Sequence, residues 1–396
     1  MEEQTRAYLR GRFGDHYRRV GISPPPAANE REWGYIPWRS GQTRMVRHHS
    51  LLDLGNFGDA ADLSEFLARR RPRHVYYSAA RYDDPGADSM GKKGWRAADL
   101  VFDLDADHLP GVDPKEDSYV EMLAVCKDAL FRLLEFLEDD FGFEDTSIVF
   151  SGSRGYHVHV RDEGVLDLGR EQRREIVDYV LGESLEFESL IETETVSGLG
   201  RRTPAEKRTL PTDGGWGART TSQLLDLLDE VLDLPEEEAL EQLTRYDGIG
   251  EGRAKATLSA ARNNYEQVAA GNVDVHPAFF GLTRAILDET VEAEHAPIDE
   301  PVTTDINRLI RLPGSLHGGT GFVVTPVGRD ELSTFDPVKD AVSETFRGQE
   351  IVIDVHEPGV DDLGGTFNLS AGEHTVEEYL GVFLMARGRA EKGKEA

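Results

Sequence analysis

Cysteine is all but missing from this 396-residue chain: a single one, Cys126, stands in an apolar run. An internal disulfide is therefore excluded, and so is a zinc site built on cysteine thiolates. Cys126 itself reads as a small buried hydrophobe. Long apolar runs are missing too. No stretch approaches the ~20 residues of a membrane-spanning helix, and the acidic start Met1-Glu2-Glu3 is unlike a signal peptide. A soluble, cytoplasmic protein with no membrane partner is the expectation. Positive charge is scarce: 44 Lys and Arg face 74 Asp and Glu, a formal net charge of −30. Such a chain repels nucleic acid at ordinary salt. Either its partner is not nucleic acid, or it works in high salt. There the Debye length shrinks to about 3 Å at 1 M, and a local basic patch still functions.

What is present begins with residues 99–107, Asp-Leu-Val-Phe-Asp-Leu-Asp-Ala-Asp. Leu100, Phe102 and Leu104 alternate with Val101, Asp103, Asp105 and Asp107, so the stretch reads as a strand with one apolar and one acidic face. Strand residues two apart lie roughly 6.5–7 Å apart on one side. Carboxylates so placed repel each other, and a hard divalent cation relieves that. A solvated acidic edge is the alternative.

Around it the pattern is mixed α/β (α+β). Helices are expected over 4–20, 56–71, 118–140, 169–181, 221–244, 251–268, 277–292, 304–311 and 375–387. Strands are expected near 31–35, 44–49, 74–78, 147–150, 156–160, 321–324 and 350–355. Segments 82–96 and 195–220 read as loops, and the charged tail from Arg387 as disordered. Arg44 and Arg47 face either an anionic ligand or solvent. Gly248-Ile249-Gly250 between two helices resembles the phosphate-binding turn of a helix-hairpin-helix, with an ordinary helix–helix turn as the favoured reading.

Two further stretches carry chemistry. Ser151-Gly152-Ser153-Arg154-Gly155 joins two strands. Its glycines let backbone N–H groups approach an anion, Arg154 offers a fork suited to phosphate, and His157 and His159 follow on one strand face. The stretch 299–317 gathers Asp299, Arg308, Arg311 and His317, with Arg308 and Arg311 on one face of the expected helix. Together the three regions supply what nucleotidyl transfer needs: carboxylates for divalent ions and Arg and His groups for a triphosphate.

Phe102-Asp103-Leu104-Asp105, Ser151 through His157, and Ile298-Asp299 followed by Arg308 through Gly318 resemble, in order and spacing, the three motifs of archaeo-eukaryotic primases, in particular the small catalytic subunit of archaeal DNA primase. Arg31-Glu32-Trp33 and Met45-Val46-Arg47 resemble that family's N-terminal block. The resemblance spans about residues 30–340. It implies a primase catalytic core with two sheet-bearing modules over residues 1–340, an acidic helical insertion over 221–268, and residues 341–396 closing the core. It implies that Asp103, Asp105 and Asp299 are catalytic and bind Mg²⁺ or Mn²⁺. Asp299 is taken over Asp305 because its spacing to Arg311 fits the family. Ser151, Arg154, His157, Arg311 and His317 would bind the phosphates of the incoming nucleotide, while Asp107 is left as a surface acid. Expected partners are a large primase subunit, a single-stranded DNA template and nucleoside triphosphates. The expected product is short RNA primers, with extension by deoxynucleotides as a further option. The family's structural zinc is not expected, since its ligands are lacking, and Ser153 stands where a second basic residue is common. The acidity resembles that of proteins from salt-loving archaea. A repair or plasmid primase-polymerase, and a non-catalytic binder of nucleotides or single strands, remain as alternatives.

Overall fold

The computed structural model describes residues 1–39, 46–48, 60–114, 116–196, 205–363 and 366–394. Arg44, Met45 and His49 lie outside them. The chain forms two compact units. One holds Met1–Leu130, Glu144–Val177 and Pro297–Ala396, the other Phe131–Phe143 and Asp178–Ala296. The protein is mixed α/β.

In the first unit two antiparallel four-stranded sheets position the chemistry. The first runs Leu309–Arg311, His74–Ser78, Trp33–Ile36, Val46–His48. The second runs Thr325–Val327, Thr146–Phe150, Gly155–Val160, Leu100–Asp105. The acidic strand is thus an edge strand, and its alternation decides its faces. Leu100, Phe102 and Leu104 are fully buried, whereas Asp103 and Asp105 are half-buried. Helix Tyr119–Glu135 approaches the apolar face, where the Cys126 thiol lies 3.6 Å from the Leu104 carbonyl.

Asp99, just before the acidic strand, is wholly buried. It accepts hydrogen bonds from Arg31 at 2.8 and 3.0 Å and from Arg161 at 2.9 Å. Burial pushes its carboxyl pKa up, but Arg31 and Arg161 outweigh that and hold it below the ordinary value. Deleting one partner of such a pair strands a buried charge, at about 3–5 kcal/mol. Ala79 joins the sheets: its N–H donates to the Arg308 carbonyl and its own carbonyl accepts from Asp99 N–H. Ala79, Val101, Val302 and Ile310 form a small apolar core beside it.

Several expected elements are corrected. The helix expected over 304–311 lies earlier, at Glu300–Thr304, with Pro301 in its first turn, where a missing N–H is harmless. The chain then turns through Asp305, whose carbonyl accepts from Arg308 N–H at 3.0 Å, and Leu309–Arg311 pairs with His74–Ser78 as a strand. Ile306, Leu309 and Ile310 fit a helical spacing, but the open edge of the first sheet offers the last two a backbone partner. Arg308 and Arg311 therefore share no helix face. The strand expected at 321–324 begins at Thr325, after a turn in which Gly321 takes φ +80°. Segment 82–96 is no simple loop, since Ala80–Tyr82 and Trp95–Ala98 pair around a short helix at Met90–Lys93. At 375–387 a strand, Gly372–Glu377, precedes the helix Glu378–Ala386. The tail is ordered as far as Lys392: Ala390–Lys392 pairs with Glu350–Val355, and Thr5 Oγ1 accepts from Lys392 N–H.

The second unit is largely helical. Helices Gly215–Asp233, Glu236–Leu243, Glu251–Ala269 and Pro277–Glu294 surround a core that includes Leu228, Val231, Leu243, Ile249, Ala254, Leu258 and Phe279. Ile249 of the Gly-Ile-Gly turn is buried there, and Gly248 takes φ +73°. The region 195–220 is not a plain loop, because strands Glu192–Val196 and Ala205–Thr209 form a hairpin and a helix starts at Gly215.

Candidate active site

The acidic strand pairs with Gly155–Val160 so that Asp103 faces His157 and Asp105 faces Gly155. His157 Nε2 stands 3.3 Å from Asp103 Oδ1. Gly155 is required by close approach, since a Cβ there would lie 1.9 Å from the Leu104 carbonyl oxygen. Asp299 sits just before helix Glu300–Thr304, and its N–H donates to the Asp103 carbonyl at 2.9 Å. That bond ties the third acid to the strand bearing the first two.

Electrostatics couple the three carboxyls. Burial, then the charge of Asp105, raises Asp103 to about 6, against the opposing pull of Arg311 and Arg308. Burial and Asp103 raise Asp299. Acids that repel one another in a half-buried site form a donor set suited to a hard cation. Among the described residues, no three His, Cys, Asp or Glu side chains already converge as a metal-ligand cluster.

Asp103 and His157 open onto a pocket of about 370 Å³, lined also by Tyr76, Asp305, Arg308 and Arg311. Arg311 pairs with Tyr76 across the first sheet, its guanidinium 5.8 Å from the Tyr76 ring centroid, and its Nε is buried with no hydrogen-bond partner among the described residues. His157 Nδ1 is likewise buried without a partner among the described residues. Burial and Arg311 lower the His157 pKa to about 3, so the ring is neutral at neutral pH.

The turn 151–155 closes through Ser151 N–H donating to the Gly155 carbonyl at 2.9 Å. Gly152 takes φ +76°, and a Cβ there would stand 2.8 Å from His317 Cβ, so this glycine lets His317 pack on the turn. His317 is buried, its Nδ1 3.1 Å from Thr320 Oγ1, and burial and Arg311 push its pKa well below the ordinary range.

The structure thus brings Asp103, His157 and Arg311 to one pocket, with Asp105 and Asp299 beside Asp103, Ser151 on the adjoining turn and His317 packed against that turn. Arg154 is turned elsewhere: it forms an ion pair with Asp107. Asp107 is no surface acid continuing the strand face. The strand ends at Asp105, residues Ala106–His108 form a 3₁₀ turn, and Asp107 holds Arg154. Sequence reasoning missed Tyr76 and Asn307 and set Asp305 aside, yet all three line the pocket. The signal for Tyr76 was available, because strand alternation opposes it to the buried Val75 and Tyr77.

Comparison with known proteins agrees with these motifs. Residues 102–329, more than half of the chain, match the family model for the DNA primase small subunit. The chain is 63% identical to the DNA primase small subunit PriS of Haloarcula marismortui and 62% identical to that of Natronomonas pharaonis, covering 100% of each chain in both cases. It is 40% identical to that of Methanothrix thermoacetophila, over 99% of this chain and 100% of the relative. With motifs, fold and full-length similarity in agreement, the chain belongs to the DNA primase small subunit family.

Proposed function

We propose that this chain is the catalytic subunit of a replicative DNA primase, joining nucleoside triphosphates into short RNA primers on single-stranded DNA. The observation that carries the reading is the convergence of Asp103, His157, Arg308 and Arg311 on one pocket, next to Asp105 and Asp299. Residues 1–340 would form the catalytic core, with the helices of 221–268 as an insertion.

Asp103, Asp105 and Asp299 would hold Mg²⁺ or Mn²⁺. When bound, such ions favour deprotonation of an attacking 3′-hydroxyl and offset charge on the leaving pyrophosphate. Arg311 would present to the triphosphate a buried Nε that has no partner among the described residues, and Arg308 adds positive charge on the same wall. Neutral His157 keeps a ring proton that can be donated to a phosphate oxygen without adding a charge beside Asp103. The backbone of the turn 151–155, with Ser151 and His317, would position the remaining phosphates. Arg154 joins them by exchanging the Asp107 carboxylate for a phosphate oxygen. The small-subunit naming of the relatives implies a large-subunit partner.

The test is dinucleotide and primer synthesis on an unprimed single strand, with the large subunit and either metal. Wild type is expected to make primers, and the Asp103→Asn/Asp105→Asn variant none. Extension of existing ends without unprimed initiation would point to the repair or plasmid type of primase-polymerase. Synthesis by the double variant would refute the carboxylate assignment.

A further inference from the structure

A second pocket, of about 230 Å³, opens where the first-sheet strand Trp33–Ile36 leaves the sheet. Arg10, Arg39, Arg69, Arg70, Tyr35 and Trp38 line it. Among the described residues, four guanidiniums and no carboxylate line it, in a chain whose formal charge is −30. Arg69 and Arg70 lie in the last turn of helix Ala60–Arg70, where cations suit the helix dipole, and Arg69 also stands 3.7 Å from Glu65. Neither reason covers Arg10, inside helix Glu3–Arg19, or Arg39, beyond the strand. Trp38 is 8% exposed, and its Nε1 is buried with no hydrogen-bond partner among the described residues. Guanidinium and indole N–H groups only donate. The polar atoms of Arg10, Arg39, Arg69, Arg70 and Trp38 therefore call for an acceptor-rich anion, and the arginine fork matches phosphate oxygens.

This pocket is separate from the one at Asp103. Tyr35 pairs with Val75, so its side chain leaves the sheet on the face opposite Tyr76, the neighbour of Val75 that lines the nucleotide pocket. We propose that the four-arginine pocket at Trp38 is a phosphate-binding site that holds the backbone of a single-stranded nucleic acid on the far face of the first sheet. The inference goes beyond the catalytic reading and does not depend on it.

The test uses the full chain and the fluorescence anisotropy of a labelled oligodeoxythymidine, in a KCl series starting near 1 M, where the Debye length is ~3 Å. Wild type is compared with Arg39→Gln/Arg70→Gln and with the charge reversal Arg10→Glu, all at exposed positions. Both variants are expected to melt as wild type does and to bind roughly tenfold or more weakly. The slope of log K against log salt is expected to fall by about 0.7 for each phosphate no longer neutralised, about 1.4 for the double variant. Unchanged affinity and slope in both variants would overturn the proposal. Loss of tripolyphosphate binding with oligonucleotide binding retained would assign the pocket to free polyphosphate and overturn the nucleic-acid source. Polyglutamate that binds wild type but not the variants, with DNA binding unaltered, would make the occupant an acidic peptide and likewise overturn it.

Discussion

At the scale of single residues, Asp103 sets its own stability against its use. Its carboxyl is raised from 3.8 to about 6, chiefly by burial and then by Asp105. Because the folded state holds this proton more tightly than the unfolded chain does, Asp103 stabilises the fold least when ionised. Stability falls as pH rises from about 4 to about 6, and the deficit is complete above that. A shift of this size corresponds to about 3 kcal/mol at most. Asp103→Asn should therefore raise the melting temperature of the metal-free protein at neutral pH, have little effect near pH 4, and abolish primer synthesis. A variant that melts below wild type at neutral pH would contradict the assigned cause. Arg154 poses the opposite case. Its ion pair with Asp107 is about a quarter exposed on each side, and such pairs contribute about 0–1 kcal/mol. Asp107→Asn should thus change the nucleotide KM by no more than about fivefold. If Arg154 binds phosphate as proposed, Arg154→Ala should raise it about tenfold or more through loss of a charge-assisted contact. Steady-state kinetics with each variant would tell, and equal effects would mean that Arg154 stays with Asp107 throughout the reaction.

At the scale of elements, two close approaches carry the site and both can be probed. The Asp103 strand meets its neighbour at Gly155, where any side chain would strike the Leu104 carbonyl. Gly155→Ala should destabilise the protein by about 1–3 kcal/mol or more and impair synthesis, while Gly164→Ala, with open space around it, should do neither. Paired melting curves and activity assays decide this. The second approach is that of Gly152 to His317, where an added Cβ would push the histidine off the turn. These elements also show what a sequence makes legible. The acidic strand, the strand at 74–78 and the helix expected over 118–140 were readable because period and burial largely agree along them, whereas the strand at 156–160 is buried at every position and shows no such alternation. The segment 304–311 was not, because Ile306, Leu309 and Ile310 satisfy a helical spacing while a sheet edge far away in sequence decides their fate. The strand Ala390–Lys392 was hidden for the same reason, since charged residues become a buried strand only beside Glu350–Val355. Asp103, His157 and Arg311, singled out from their motifs, line one pocket. The Asp107–Arg154 pair was missed because it depends on the strand ending at Asp105, where the chain turns.

At the scale of the whole molecule, the charge of −30 and the two arginine-bearing pockets act over different distances. The relatives in Haloarcula and Natronomonas come from salt-loving archaea, which fits a chain whose acids are spread along its length. At low salt the net field extends ~30 Å at 0.01 M and repels a DNA strand before any arginine can reach it. Near 1 M the field is cut to ~3 Å, and only interactions at touching distance remain. Those interactions weaken in turn with added salt, by counterion release. With two opposing slopes, template binding and primer synthesis by a primase of this charge should pass through a maximum along a KCl series, rather than fall steadily as they do for a basic DNA-binding protein. Stability should follow only the first slope, since screening relieves repulsion among surface acids while the buried Asp99 cluster is screened far less. The melting temperature should climb up to about 1 M KCl and then flatten. A continued linear rise to saturation would instead indicate exclusion of salt from the surface. A synthesis rate that only falls as KCl is added would show that the net charge does not govern access to the site.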